Sequence, residues 1–245
     1  MKAIILAAGV GRRLGGTGQG LPKCLIQIGG SSLLARSLKS LQKLGISCIV
    51  VVVGYEKDKI RSSVRHMIGH AAGQSEPVKF LENPDYKKGS ILSLWTARDE
   101  FTDDLLIMDA DVLFPDDLLS RLVHSKHPSA FLLDPRSKST GEEMMLMVKG
   151  DRVLRIARKV DGEYDLLGEG VGFLKVSRND LPLLKEAVAS LIAAGRHDAD
   201  YENAIDLFLQ KAVVGYEPVG SLPWTEVDFP EDVERAEREI LPRLK

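Results

Sequence analysis

The sequence predicts an α/β domain built on a mostly parallel central sheet with helices on both faces, and three observations carry that reading. Short apolar runs at residues 2–8, 46–53, 78–82 and 105–109 alternate with amphipathic stretches, the order expected of successive βαβ units. The run 46–53 is apolar almost throughout, as a strand covered on both faces must be. At 245 residues, 44% of them hydrophobic, the chain is long enough to close a full core around such a sheet.

Taken in order, residues 2–8 form the first strand. Ser31 or Ser32 caps a helix in which Leu33, Leu34, Leu38, Leu41 and Leu44 make one apolar stripe, and Gly45 ends it. The strand 46–53 follows, then a polar helix over about 56–68, a strand at 78–82, a helix from 90 to about 100 and a strand at 105–109. After Phe114 the pattern changes. Residues 115–123 read as a helix, and 130–133, 144–149 and 152–157 as shorter strands, the last two joined through a turn at Gly150-Asp151. Helices near 179–194 and 200–209 precede a last pair of strands near 213–218 and 224–227. Pro230 opens the final helix, with Glu231 and Asp232 where the helix dipole favours acids. No repeat, linker or low-complexity segment interrupts residues 1–245, so one continuous domain is expected.

Thirty-three basic and 35 acidic side chains give a formal charge of -2, without the basic surplus that nucleic acid or an anionic membrane would demand. A small-molecule partner is expected, and a homo-oligomer is compatible with the composition. Cys24 and Cys48 are the only cysteines, too few for a disulfide framework and without metal-ligand spacing, which favours a reducing compartment. The first apolar run stops at Gly9 and meets Arg12 and Arg13, unlike an export signal, and no segment approaches the ~20 apolar residues of a membrane span. A cytoplasmic location is expected.

Three clusters carry chemistry. In Leu6-Ala7-Ala8-Gly9-Val10-Gly11-Arg12-Arg13-Leu14, followed by Leu21-Pro22-Lys23, a buried strand opens into a glycine loop. Backbone N–H groups of such a loop approach phosphate oxygens closely, and Arg13 and Lys23 add charge. No Gly-Lys-Ser/Thr closes it, so it is not a P-loop, and the third glycine of GxGxxG is missing. Asp109-Ala110-Asp111 ends an apolar strand, where period two sets both carboxylates on one side at the ligand-binding edge of an open sheet. Mg²⁺ is held by few carboxylates plus phosphate oxygens, the set expected here. Trp224-Thr225-Glu226-Val227-Asp228 stands just before the last helix, which Asp228 alternatively caps.

With these motifs the chain resembles the sugar-phosphate nucleotidylyltransferase superfamily of MobA-like NTP transferases, whose opening is an L-A-A-G-x-G-T-R-L loop with a downstream Pro-Lys. The resemblance covers nearly the whole chain. It implies a Rossmann-like sheet of the nucleotide-diphospho-sugar transferase type, with a nucleotide-binding half over 1–114 and a small, β-rich acceptor-binding half over 115–245. It implies that Arg13 and Lys23 are catalytic, that the backbone from Leu6 through Ala8, Gly9 and Gly11 holds the triphosphate, and that Asp111 and Asp228 bind Mg²⁺. Asp109 is then near the ribose or the metal. Arg12 stands where Thr or Ser is usual, and residues 15–20 make an unusually glycine-rich lid.

Asn83-Pro84-Asp85-Tyr86 and Gly89-Ser90-Ile91-Leu92-Ser93-Leu94-Trp95 supply Asn83, Gly89 and Ser90 as the expected wall for a small base. They look more like cytidylyltransferases acting on phosphocholine, phosphonate or inositol phosphate than like sugar enzymes. CTP is therefore the expected triphosphate and a small phosphorylated compound the acceptor. Lys159 matches the lysine that binds the acceptor phosphate in relatives, although Arg158 replaces the usual preceding Glu. Glu169 in Gly168-Glu169-Gly170-Val171-Gly172, Tyr201 and Glu202 in Asp200-Tyr201-Glu202-Asn203, Trp224 and Glu226 complete the expected acceptor site, Tyr201 and Trp224 flanking any quaternary ammonium. The expected reaction is in-line attack of an already ionised phosphate oxygen on the α-phosphorus with release of pyrophosphate. It needs no general base, and no His falls in the motifs. The alternatives are a sugar-1-phosphate nucleotidylyltransferase using another triphosphate, and a glycosyltransferase of the same α/β type, which would lack the glycine loop with Pro22-Lys23.

Overall fold

The computed structural model describes residues 1–11, 13–14, 20–68 and 78–244. Arg12 and residues 15–19 of the expected lid lie outside the described residues. Strand β1 (Lys2–Ala7) is flanked in parallel by β2 (Cys48–Val53) and β4 (Leu105–Asp109), and β3 (Val78–Glu82) pairs parallel with β2. The strand order is β3-β2-β1-β4, with α1 (Leu33–Lys43), α2 (Lys57–Ile68) and α3 (Ile91–Thr96) in the three connections between these parallel strands. Ser32 is the cap of α1, its hydroxyl accepting the Ala35 N–H at 3.2 Å, and Gly45 leaves the helix at φ +73°.

Alternation along the strands sorts the core into two layers. Ile4, Val50, Val52 and Ile107 face one side, packed with α3 and with α5 (Leu181–Ala193) and α6 (Tyr201–Leu209). Ile5, Val51, Val53, Leu106 and Met108 face the other, with α1, α2 and α4 (Asp116–Val123). Two-sided burial explains why these strands read as continuous apolar runs.

The remaining strands of the main sheet are β5 (Ala130–Asp134), β6 (Met145–Lys149), β7 (Arg152–Ala157), β8 (Leu166–Val176) and β9 (Gly215–Pro218). Sequence patterning misses β8, although it is the seam of the fold. Its C-terminal end pairs antiparallel with β4, its N-terminal end with β6, and β5 packs along it. Gly168, Gly170 and Gly172 make this segment look like a loop. Two of them are needed for close approach: a Cβ on Gly168 would lie 2.5 Å from Leu133 Cδ2, and Gly172, at φ +80°, faces Asp109. The register shifts between Gly170 and Leu174, so a bulge re-aims the strand at the site.

One further expectation is corrected. The helix expected from 90 to 100 is α3 followed by a separate 3-10 turn at Arg98–Glu100. Of the last two strands, β9 joins β5 in parallel, while Thr225–Glu226 pairs antiparallel with Val112–Leu113. The final helix α7 (Pro230–Arg235) runs on into a π-helical turn, Ala236–Ile240. A third core of Leu14, Ile26, Ile28, Leu113, Val227 and Ile240 ties the glycine loop to this C-terminal segment. Burial of Leu14 stabilises the anchor of Arg13 by about 2 kcal/mol. No described helix is long and apolar enough to cross a membrane.

Candidate active site

A cavity of about 380 Å³ opens at the carboxyl ends of β1 and β4, where the chain order in the sheet reverses. Leu6, Ala8, Gly9 and Gly11 form one wall. A Cβ on Gly9 would meet nothing within 4 Å, so its backbone is open to a ligand. Gly11, at φ +63°, gives way to Lys23, whose Cγ would lie 2.7 Å from any Cβ placed there. Lys23 begins a 3-10 turn over Lys23–Leu25 and ion-pairs with Asp111 Oδ2 at 3.2 Å and with Asp228. Arg13 pairs with Asp228 Oδ2 at 3.1 Å and with Glu142 Oε2 at 3.2 Å, its guanidinium 5.3 Å from the Phe229 ring centre.

The two-residue pairing of Glu226 with Val112 brings the C-terminal motif beside the end of β4, and Val227 N–H donates to the Asp111 carbonyl at 3.0 Å. Asp232 in α7 accepts from the N–H groups of Asp228 and Phe229, fixing the turn. Carboxylate oxygens of Asp111, Glu226 and Asp228 thus lie within 4.8 Å of one another. Three hard oxygen donors, with a glycine loop opposite to bring phosphate oxygens, fit a small divalent cation such as Mg²⁺. Glu226, expected at the acceptor, stands instead with the two expected metal ligands. Desolvation at the cavity wall and the neighbouring Asp111 charge push its carboxyl up to about 7.

Asp109 sits behind this group. Burial, then the charges of Asp111 and Glu202, raise its carboxyl well above the usual range, and the Tyr201 hydroxyl donates to its Oδ2 at 2.8 Å. Tyr201 opens α6, and its backbone N–H donates to Ser90 Oγ at 2.8 Å, so Ser90 joins the base wall to the acceptor half. Asn83 and Gly89 do not line the cavity. Asn83 is buried, bonding Ser93 Oγ and the Asp85 N–H, and Gly89 is packed so closely that a Cβ would lie 2.1 Å from the Ala199 carbonyl oxygen. Both support the wall from behind the residues that line it.

Of the expected acceptor residues, Glu169, Tyr201, Glu202 and Glu226 line the cavity, and Lys159 and Trp224 do not. Trp224 belongs to an adjoining hollow of about 490 Å³, where its indole N–H donates to Asp134 at 2.8 Å. It therefore makes no aromatic box with Tyr201. Sequence reading missed Glu142, Arg158 and Asp200 as lining residues, while Ser93 of the base-wall motif lines the cavity. Arg158 and Asp200 carried a signal, each adjacent to a motif residue singled out.

Glu202 yields a pH prediction. Burial first, and the Asp200 charge, push its carboxyl up to about 8. The unfolded chain releases this proton near pH ~4.3, so the stability it contributes is whole below that value and is lost as pH rises through 8. Glu202→Gln is expected to raise the melting midpoint of the metal-free chain at pH 8.5 by about 3–6 °C and to leave it nearly unchanged at pH 4.5. Thermal denaturation at both values checks this.

Residues 3–169 match the model of the MobA-like NTP transferase domain. The Bifunctional IPC transferase and DIPP synthase of Rubrobacter xylanophilus is 29% identical over 244 residues, 98% of this chain and 52% of that protein. The chain spans about half the length of this relative and of a second of the same name from Thermococcus kodakarensis. The CTP:phosphoglutamine cytidylyltransferase of Campylobacter jejuni is 26% identical over 261 residues, 96% of this chain and 98% of that one. The solved inositol-1-phosphate CTP transferase from T. maritima superposes with a TM-score of 0.74 at 19% identity, covering 98% of this chain and 97% of the other, a likeness of fold.

Proposed function

Because the chain belongs to the MobA-like NTP transferase family, we propose that it is a Mg²⁺-dependent cytidylyltransferase that transfers CMP from CTP to a small phosphorylated acceptor and releases pyrophosphate. The observation that carries this reading is the meeting of Lys23 and Arg13, from the glycine loop, with the carboxylates of Asp111, Glu226 and Asp228. That arrangement suits a substrate bearing several negative charges that change place during reaction. CTP is favoured because similar proteins are named for it.

In this mechanism the open backbone at Gly9 takes the β- and γ-phosphates, and Lys23 and Arg13 exchange their carboxylate partners for triphosphate oxygens. An ionised oxygen of the acceptor's phosphate attacks the α-phosphorus in line, and the two cations meet the charge that develops on the leaving pyrophosphate. A divalent cation held by Asp111, Glu226 and Asp228 would supply Lewis-acid neutralisation at the α-phosphate. The Tyr201–Asp109 hydrogen bond holds the acceptor wall against the end of β4. Glu169 and Glu202 make that wall acidic, which suits an acceptor whose far end carries an ammonium group or hydroxyls.

The test crosses CTP, UTP, GTP, ATP and dTTP against phosphocholine, inositol 1-phosphate, 2-aminoethylphosphonate and glucose 1-phosphate, with Mg²⁺. Turnover confined to CTP is the expected result. Turnover only with glucose 1-phosphate and another triphosphate overturns the choice of nucleotide and acceptor while leaving the reaction type.

A further inference from the structure

The acceptor's phosphate must be met by positive charge, because a dianion entering this cavity faces eight acidic side chains against three cations among the described lining residues. Two of the cations, Arg13 and Lys23, are tied to Asp228 and belong to the triphosphate side. The third is Arg158. Strand β7 ends at Ala157, and Ile156 on it lines the cavity. In the bend that follows, Arg158 lines the cavity and its neighbour Lys159 does not.

Arg158 is also held in place. Its Nη1 donates to Asp200 Oδ2 at 2.5 Å and its Nε to the Glu142 carbonyl at 3.2 Å, while Nη2 has no partner among the described residues. Asp200 is itself the N-cap residue of α6, its backbone N–H donating to Asn203 Oδ1 at 3.0 Å. A planar guanidinium aimed this way can bind two oxygens of one phosphate at once, which an ammonium cannot.

We propose that Arg158, in place of Lys159, binds the phosphate of the acceptor, with Asp200 positioning its guanidinium at the cavity mouth. This rests on the acceptor being a phosphorylated compound. The residue sets acceptor affinity and leaves triphosphate affinity alone.

The test is calorimetric titration of the wild-type chain, Arg158→Gln, Arg158→Lys and Lys159→Gln with phosphocholine, inositol 1-phosphate and inorganic phosphate, and separately with CTP. The expected result is binding of at least one phosphate compound by the wild type, weakened about 10-fold or more in Arg158→Gln, partly restored in Arg158→Lys, and changed less than about 2-fold in Lys159→Gln. CTP affinity should be equal in all four, which a collapsed cavity would not give. Unaltered affinity in Arg158→Gln, loss in Lys159→Gln, or no binding of any phosphate compound by the wild type overturns the inference. A chain that binds phosphate through Arg158 yet releases no pyrophosphate overturns the transferase reading instead.

Discussion

Asp228→Ala is expected to lower turnover by about 10³-fold, and Asp111→Ala by a similar factor, with the melting midpoint moved by only a few degrees. The carboxylate of Asp228 is the point at which Arg13, Lys23 and the other two acids meet. In the proposed mechanism, losing it would remove a ligand from the cation that neutralises the α-phosphate, an effect of several kcal/mol on the barrier, and each 1.36 kcal/mol is about tenfold in rate. Folding depends far less on it, because Asp228 is only half-buried and the turn around it is fixed by Asp232 through backbone N–H groups. Steady-state kinetics beside thermal denaturation separates the two. Wild-type rates in both variants would remove these carboxylates from the reaction.

Lys23→Met should lower turnover by about 10²–10³-fold, the size expected when a charge facing the developing transition state is lost. A second effect has the opposite sign. Without nucleotide, Lys23 is the counterion of Asp111 and Asp228, so a divalent cation must displace it. Lys23→Met should therefore bind Mn²⁺ more tightly than the wild type in the absence of CTP, by about 3–10-fold. Titration followed by electron paramagnetic resonance reads this without any turnover. Weaker Mn²⁺ binding in the variant would contradict the placement of Lys23 among the metal carboxylates.

The parts of the site legible in the sequence are those fixed by local pattern. The glycine loop after an apolar strand, the Asp109-x-Asp111 pair at a strand end and the helix stripe Leu34, Leu38, Leu41 each depend on neighbours within a few residues, and each falls where expected. What was not legible depends on pairing between distant segments. The glycines of residues 168–172 imitate a loop, yet they allow β8 to run between β4 and β6 and to pass Asp109 closely. The pairing of Glu226 with Val112 spans more than a hundred residues, and it sets Glu226 beside Asp111 and Asp228, the expected metal ligands. The choice between Arg158 and Lys159 turns on the bend after Ala157, which sets Arg158 in the cavity wall and which motif matching does not read. Trp224 shows the reverse error: an aromatic in a motif, whose indole is spent on Asp134 beside the cavity.

In the proposed reaction this cavity moves a nucleoside monophosphate between phosphates. It is tested most directly with CTP labelled on the α-phosphorus, incubated with the chain, Mg²⁺ and a mixture of phosphocholine, inositol 1-phosphate and 2-aminoethylphosphonate. The expected result is transfer of the label into a phosphatase-resistant product, matched one to one by pyrophosphate and stopped by a chelator. Label that stays in CTP, or appears only as free CMP with no acceptor attached, would contradict it.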